Sequence, residues 1–372
     1  MSAERKIPFF LPGASNPEAL LSRSISRVLA SNWFVLGQEV TAFEKAFAEY
    51  IGVSDCVSVA NGTDALELAL RAVGVRAGDR VVLAANAGYY SSTAINAIGA
   101  VPCYVDIDPR TMSLAPTLVE GALQNRPAAV IITHLYGQLA DVELVGGLCK
   151  RAGVPLIEDC AQAHGARRAD RLAGSFGTVG CFSFYPTKNL GAIGDGGAVT
   201  TGDDEIATRL RALRQYGWEG KYRVAVQGGR NSRLDEIQAA VLLDKLPLLD
   251  ACNEARRAIA VRYSAGLRAL PLELPVSVGP DYVAHLYVIR SNLRDQLRTF
   301  LAERGISAEV HYPIPDHRQA VSAPLHGDQP LPVTERACDE VLSLPCYPGL
   351  DLEAQALVIE AIEDFFREQG RS

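Results

Sequence analysis

The chain has 372 residues, enough for two domains and a sizeable core. With 48% hydrophobic and 21% charged residues it reads as globular, not disordered. A net charge of −7 with no long run of Lys or Arg argues against nucleic acid and anionic membrane as partners, and no apolar run approaches the roughly 18 residues of a membrane span.

The N-terminal stretch Met1–Pro12 holds no apolar core that would serve as a signal peptide, and it is expected to cross over and pack elsewhere in the fold. From about residue 56 to 200, short apolar runs alternate with amphipathic stretches. Val57–Ala60, Arg80–Ala84, Val101–Val105, Ala129–Thr133, Val154–Glu158, Cys181–Tyr185 and Ala198–Thr201 read as strands, and Asp64–Val73, Leu118–Gln124 and Leu144–Ala152 as helices between them. Such alternation implies an α/β fold with a mostly parallel, seven-stranded sheet covered on both faces. Ligands of such sheets gather beyond the carboxyl ends of the strands. A helix is expected over Asp203–Arg214, then a polar, Gly-rich and aromatic loop over Gly217–Arg233. A long helix from Leu234 to Leu267 should break at Pro247, which lacks the N–H that a helix interior needs. A smaller α+β unit follows, with strands Ala284–Arg290 and Ile306–Val310 and helices at Arg294–Glu303, Thr334–Val341 and Leu352–Phe366. The boundary falls near residue 246, giving a large domain 1–246 and a small domain 247–372. The eight cysteines are scattered without a C-x-x-C pair, so they read as reduced thiols of a cytoplasmic protein and not as a metal site.

Three segments carry chemistry. Asn61-Gly62-Thr63-Asp64 follows a strand and opens a helix; it is either an ordinary cap or a cradle for a phosphate on backbone N–H groups. In Leu156-Ile157-Glu158-Asp159-Cys160-Ala161-Gln162, Asp159 ends a buried strand. A carboxylate there is costly unless a cation meets it, and a protonated pyridine nitrogen would do so. Gln162 stands close enough to bond a ring hydroxyl, whereas His164 reads as structural. The third segment runs Gly180-Cys-Phe-Ser183-Phe-Tyr185-Pro-Thr-Lys188-Asn-Leu-Gly191, followed by more glycines. Of six lysines, only Lys188 stands between an apolar strand and a run of glycines, the surroundings of an amine kept neutral to attack an aldehyde. The order strand–lysine–loop–strand does not fit a dinucleotide loop.

These segments, with Gly37-Gln38-Glu39-Val40, Phe43-Glu44, Asn231-Ser-Arg233-Leu-Asp235-Glu236, Leu331-Pro-Val-Thr-Glu-Arg-Ala and Leu342-Ser-Leu-Pro-Cys-Tyr-Pro, resemble the DegT/DnrJ/EryC1/StrS family of sugar aminotransferases over nearly the whole chain. The resemblance implies the aspartate-aminotransferase-like fold type I, pyridoxal 5'-phosphate (PLP) as cofactor, and glutamate as amino donor. By position it makes Lys188 the Schiff-base lysine, sets Asp159 against the pyridine nitrogen and Gln162 against the ring oxygen, and gives the phosphate to Gly62, Thr63 and Ser183, with Asp64 beside them. Asn231 resembles a residue that reaches across from the second subunit, implying a homodimer with shared sites. Tyr185, His311 and Tyr312 are expected beside the sugar.

The sequence departs from the family pattern where an aromatic side chain stacks on the cofactor: that position falls on Gly88, so Tyr89 or Tyr90 must supply the ring. Ala85-Asn-Ala-Gly-Tyr-Tyr90 resembles the subgroup that aminates C3 of dTDP-linked 3-keto-6-deoxyhexoses. The rivals are amination at C4 of a nucleotide sugar and a non-catalytic regulator; a related dehydratase would carry histidine in place of Lys188.

Overall fold

The computed structural model describes residues 5–326 and 328–370. Helices α1 (Glu18–Ser31) and α2 (Gln38–Ile51) precede strand β1 (Asp55–Val59). Then come α3 (Gly62–Ala72), β2 (Arg80–Ala84), α4 (Tyr90–Ala97), β3 (Val101–Val105), α5 (Pro116–Leu123), β4 (Ala129–Thr133), α6 (Val142–Ala152) and β5 (Leu156–Asp159). A short hairpin, β6 (Arg167–Arg168) and β7 (Arg171–Leu172), leads into β8 (Val179–Ser183) and β9 (Gly197–Thr201). The sheet has seven strands in the order β1-β9-β8-β5-β4-β2-β3. Only β9 runs against its neighbours, pairing antiparallel with both β1 and β8. Val, Ile, Leu and Ala dominate its strands because helices cover both faces.

Helix α7 (Asp204–Leu213) starts where Asp203 caps the N–H groups of Glu205 and Ile206. The loop after it contains a second hairpin, β10 (Trp218–Gly220) with β11 (Arg223–Val224). The long helical run splits as expected at Pro247, into α8 (Glu236–Lys245), a 3-10 turn, and α9 (Leu249–Leu267). Strand β12 (Tyr287–Arg290), α10 (Arg294–Glu303), one-turn α11 (Ala323–His326), α12 (Pro332–Glu340), β13 (Val341–Leu344) and α13 (Leu352–Gln369) complete the chain. One core cluster joins α9, β12, α10, β13 and α13 around Tyr263, Tyr287, Leu342 and Ile362; three others lie against the large sheet.

One expected strand is absent and one strand was not expected. Ile306–Val310 is not a regular strand: Ile306 makes one bridge to Ile7 and Glu309 one to Ser343. The apolar alternation buries Ile306 and Ala308, but the segment meets the free edge of β13 through the single Glu309–Ser343 bridge, which is too little for a ladder. The strand missed by apolar pattern is β13 itself, which begins directly where α12 ends. The N-terminal segment does cross over, with Ile7 bridging Ile306 and Phe9 stacking on His311 at 5.6 Å. Among the described residues, no helix is long and apolar enough to cross a membrane.

Distant blocks of sequence meet in the fold. Glu236, only 2% exposed, accepts the N–H groups of Gly37, Glu39 and Val40 at 2.8–2.9 Å and so caps α2 from α8. Glu44 accepts from Ser58 N–H and Oγ and from Arg214, tying α2 to β1 and α7.

Candidate active site

A cavity of about 660 Å³ opens beyond the carboxyl ends of β1, β5 and β8. Asn61 caps α3, its Oδ1 accepting the Asp64 N–H at 2.8 Å. That leaves Gly62 and Thr63 at the helix start, lining the cavity opposite Ser183. A Cβ on Gly62 would lie 2.6 Å from Ser183 Cβ, and one on Gly197 would lie 2.3 Å from the Asn61 carbonyl. Two glycines thus allow the start of α3 to seat against β8 and β9. Free N–H groups, a helix dipole and two hydroxyls make a cradle suited to a phosphate.

On β5, successive carboxylates point to opposite faces. Glu158 is fully engaged, accepting N–H groups of Gly174, Phe176 and Gly177 and facing His134 Nε2 at 2.9 Å. Asp159 faces the cavity. It accepts the Ala161 N–H at 3.2 Å and long contacts from Thr133 and Ser91 at 3.4 and 3.5 Å, and it has no cationic partner within ion-pair distance among the described residues. Burial pushes its carboxyl up, partly countered by the Ala161 N–H and Lys188. Lys188, whose N–H bonds the Tyr185 carbonyl, lines the same space. Enclosure lowers its amine to about 8, against the opposing pull of Asp159.

Gln162 is oriented by the backbone: its Oε1 accepts the Tyr136 N–H at 2.6 Å, leaving Nε2 to donate to the Tyr312 hydroxyl at 3.1 Å. Tyr312 and His311 reach the cavity from the C-terminal part of the chain, and Tyr185 lines it from the loop after β8. His311 Nδ1 meets Ser343 Oγ at 2.9 Å, and burial together with nearby Lys188 pushes its ring down to about 4. His164 is buried between Phe182 and Phe184 and does not line the cavity, as expected of a structural histidine.

Two expected site residues lie elsewhere, and Asn231, expected to serve a second subunit, also lies outside this chain's cavity. Asp64 is buried beside Arg230 at 3.3 Å, outside the cavity. Its side chain sits where the first turn of α3 meets the 217–233 loop, so its charge is used in packing. Tyr89 points away, its hydroxyl 2.8 Å from Ser322 Oγ, while Tyr90 lines the cavity. Asn231 is exposed and bridges to Gln215, away from this chain's own cavity.

Sequence reasoning missed two residues. His285, whose Nδ1 lies 3.0 Å from Asn189 Oδ1, and Arg256 both line the cavity. Arg256 is 2% exposed and bonds only carbonyls, those of Ala284, His285 and Cys346. Its one signal in the sequence was an arginine among the inward-facing positions of α9.

The fold and this constellation define an aminotransferase: the chain belongs to the DegT/DnrJ/EryC1/StrS aminotransferase family, whose model matches residues 18–363. It is 46% identical over 348 residues to the dTDP-3-amino-3,4,6-trideoxy-alpha-D-glucose transaminase of Micromonospora megalomicea subsp. nigra, covering 92% of this chain and 93% of that relative. It is 42% identical over 352 residues to a pleiotropic regulatory protein of Geobacillus stearothermophilus, covering 93% and 94%. The crystal structure of Streptomyces venezuelae DesV in complex with a ketimine intermediate superposes with a TM-score of 0.93 at 43% identity, covering 97% of this chain and 98% of that one.

Proposed function

We propose that the protein binds PLP in this cavity and transfers the amino group of glutamate to C3 of a dTDP-linked 3-keto-6-deoxyhexose. The observation that carries the cofactor is the pairing of a phosphate cradle with two unmatched charges: a buried Asp159 lacking a cation and a Lys188 amine lowered to about 8. When bound, PLP supplies an aldehyde that accepts the amino group and a ring that draws off electrons. Gly62, Thr63 and Ser183 hold the phosphate at the start of α3. Asp159 keeps a proton on the ring nitrogen. Gln162 Nε2 is directed at the ring oxygen by the fixed Tyr136 contact. Tyr90, rather than Tyr89, covers the ring face. With PLP bound, Lys188 Nζ would be the amine that holds its aldehyde carbon, and when free it would be placed to carry a proton at the substrate carbon.

Glutamate as donor is supported by Arg256, a buried guanidinium with no carboxylate partner among the described residues. A buried cation of this kind is costly until an anion meets it. Tyr185, His311 and Tyr312 offer hydrogen bonds to sugar hydroxyls at one wall. Asn231 completes the phosphate site of a partner subunit, so the working unit is a homodimer. The cofactor domain ends near residue 246, and the small domain, 247–372, which the N-terminal segment around Ile7 joins, supplies His311 and Tyr312 to the sugar wall. Eight unpaired cysteines suit the reducing cytoplasm.

The C3 assignment follows the subgroup resemblance of Ala85–Tyr90 and the activity that the Micromonospora relative is named for. NMR identification of the product formed from 3-keto and 4-keto dTDP-sugars tests it. A 3-amino sugar is expected. A dominant 4-amino product would move the reaction to C4, and a colourless protein without transamination would return the regulatory reading.

A further inference from the structure

We propose that Asp316 is a positioning residue that holds the aromatic wall over the cofactor ring, acting through the backbone of Tyr89 on the side chain of Tyr90. This rests on the reading that Tyr90 covers PLP.

The segment between β2 and α4 has an uncommon backbone. Gly88 and Tyr89 take φ of +79° and +71°, two left-handed residues in succession. For Tyr89, which carries a Cβ, this conformation is strained and persists only when surroundings impose it. Tyr89 is also the residue that precedes α4, and its side chain makes no capping bond. The acceptor that the helix start needs comes from far along the chain.

Asp316 is that acceptor, at 1% exposure. Its Oδ1 accepts the Tyr89 N–H at 3.0 Å, and its Oδ2 accepts the Ser92 hydroxyl at 2.6 Å. Its own N–H donates to the Ala85 carbonyl at 2.7 Å. Every polar group of this residue except its carbonyl is therefore spent on residues 85–92. It has no ion-pair partner among the described residues. A buried carboxylate without a cation is a poor way to gain stability, since an apolar residue of its size would avoid the desolvation cost. Its specific return is the geometry it imposes on Tyr89.

That geometry sets the cavity wall. Tyr312, four residues before Asp316, lays its ring over Gly88, where any Cβ would lie 2.8 Å from the ring. Tyr90 meets the Tyr312 ring edge-on at 6.0 Å. One short segment thus fills the space above Gly88 and clamps the next residue, and Tyr90 is turned toward the cavity as a consequence. Gly88, Tyr89 and Asp316 form one device: the position without a side chain, the strained residue and its acceptor.

The test is a double-mutant cycle on the holoenzyme, read as the PLP dissociation constant and the induced circular dichroism of the cofactor band. Asp316→Leu should weaken PLP about tenfold and diminish the induced signal while Tyr90 is present, and do neither in the Tyr90→Ala background. Asp316→Asn, which keeps an oxygen for the Tyr89 N–H, should restore most of the signal. Equal losses in both backgrounds, or no loss at all, overturn the proposal. If Asp316→Leu does not fold cooperatively, Ser92→Ala, which removes one of the two donors, replaces it in the same cycle: a loss confined to the Tyr90 background supports the proposal, and equal or absent losses overturn it. Wild-type protein that shows no Lys188-dependent PLP band would instead overturn the functional reading itself.

Discussion

Gly62→Ala probes the contact on which the phosphate cradle depends. The added methyl would lie 2.6 Å from Ser183 Cβ and 3.2 Å from its Cα. Carbon atoms prefer about 3.5–4.0 Å, so the shortfall is about 1 Å. Ser183 Cβ cannot rotate away, because it is fixed to a strand paired through Ser183 and Gly197 to β9. The first turn of α3 must move instead. Overpacking of this kind costs about 1–3 kcal/mol, whereas replacing glycine in a helix returns at most about 1 kcal/mol, and less at its first residue. The clash wins, by about 1–2 kcal/mol, and the melting temperature of the cofactor-free protein should fall by about 1–3 °C. PLP suffers more, since the N–H groups and the Thr63 hydroxyl move with the turn: a loss of about 1.4–2.8 kcal/mol corresponds to 10–100-fold weaker binding. Thermal unfolding and absorbance titration with PLP measure both. Adding Ser183→Gly removes the opposing Cβ and should recover the melting temperature but not full affinity, the hydroxyl being gone. Unchanged melting and unchanged PLP affinity in Gly62→Ala would refute the packing argument and the cradle with it.

Lys188 has a pKa of about 8 when enclosed, against 10.5 for an ordinary lysine, so its neutral form grows as pH rises through 8. The rate of PLP capture by cofactor-free protein should rise about tenfold from pH 7 to a plateau above 9; a flat profile would remove Lys188 as the capturing amine. The same shift makes the unfolded chain bind more protons between pH 8 and 10.5, so this lysine adds stability as pH rises across that window and adds none of it below 8. Mixing Lys188→Ala with Asn231→Ala protein should regenerate activity, because one site of each hybrid dimer is intact; absence of recovery despite subunit exchange would confine the site to one chain. Arg256→Lys should raise the dissociation constant for glutamate at least tenfold with little change for dTDP, measured calorimetrically, and the opposite pattern would assign the guanidinium to the nucleotide.

Much of what depends on neighbours along the chain was legible in the sequence, β13 and the 306–310 segment being exceptions. Apolar runs of four or five residues flanked by turns marked all seven strands of the large sheet, and strand ends then pointed to Gly62, Asp159, Ser183 and Lys188, which do line one cavity. Pro247 marked its helix break because a missing N–H acts within a single turn. Direction and distant partners were settled by the fold. Whether Tyr89 or Tyr90 faces the cavity turns on φ at Tyr89, and that is imposed by Asp316, 227 residues away. Asp64 reads the same in the sequence whatever its role, and only Arg230 from the 217–233 loop takes it out of the site. Arg256 and His285 reach the cavity through the packing of α9 against the segment before β12, for which no local pattern exists. Short-range sterics and hydrogen bonding write themselves into adjacent residues; the aim of a side chain is fixed by whatever the folded chain brings against it.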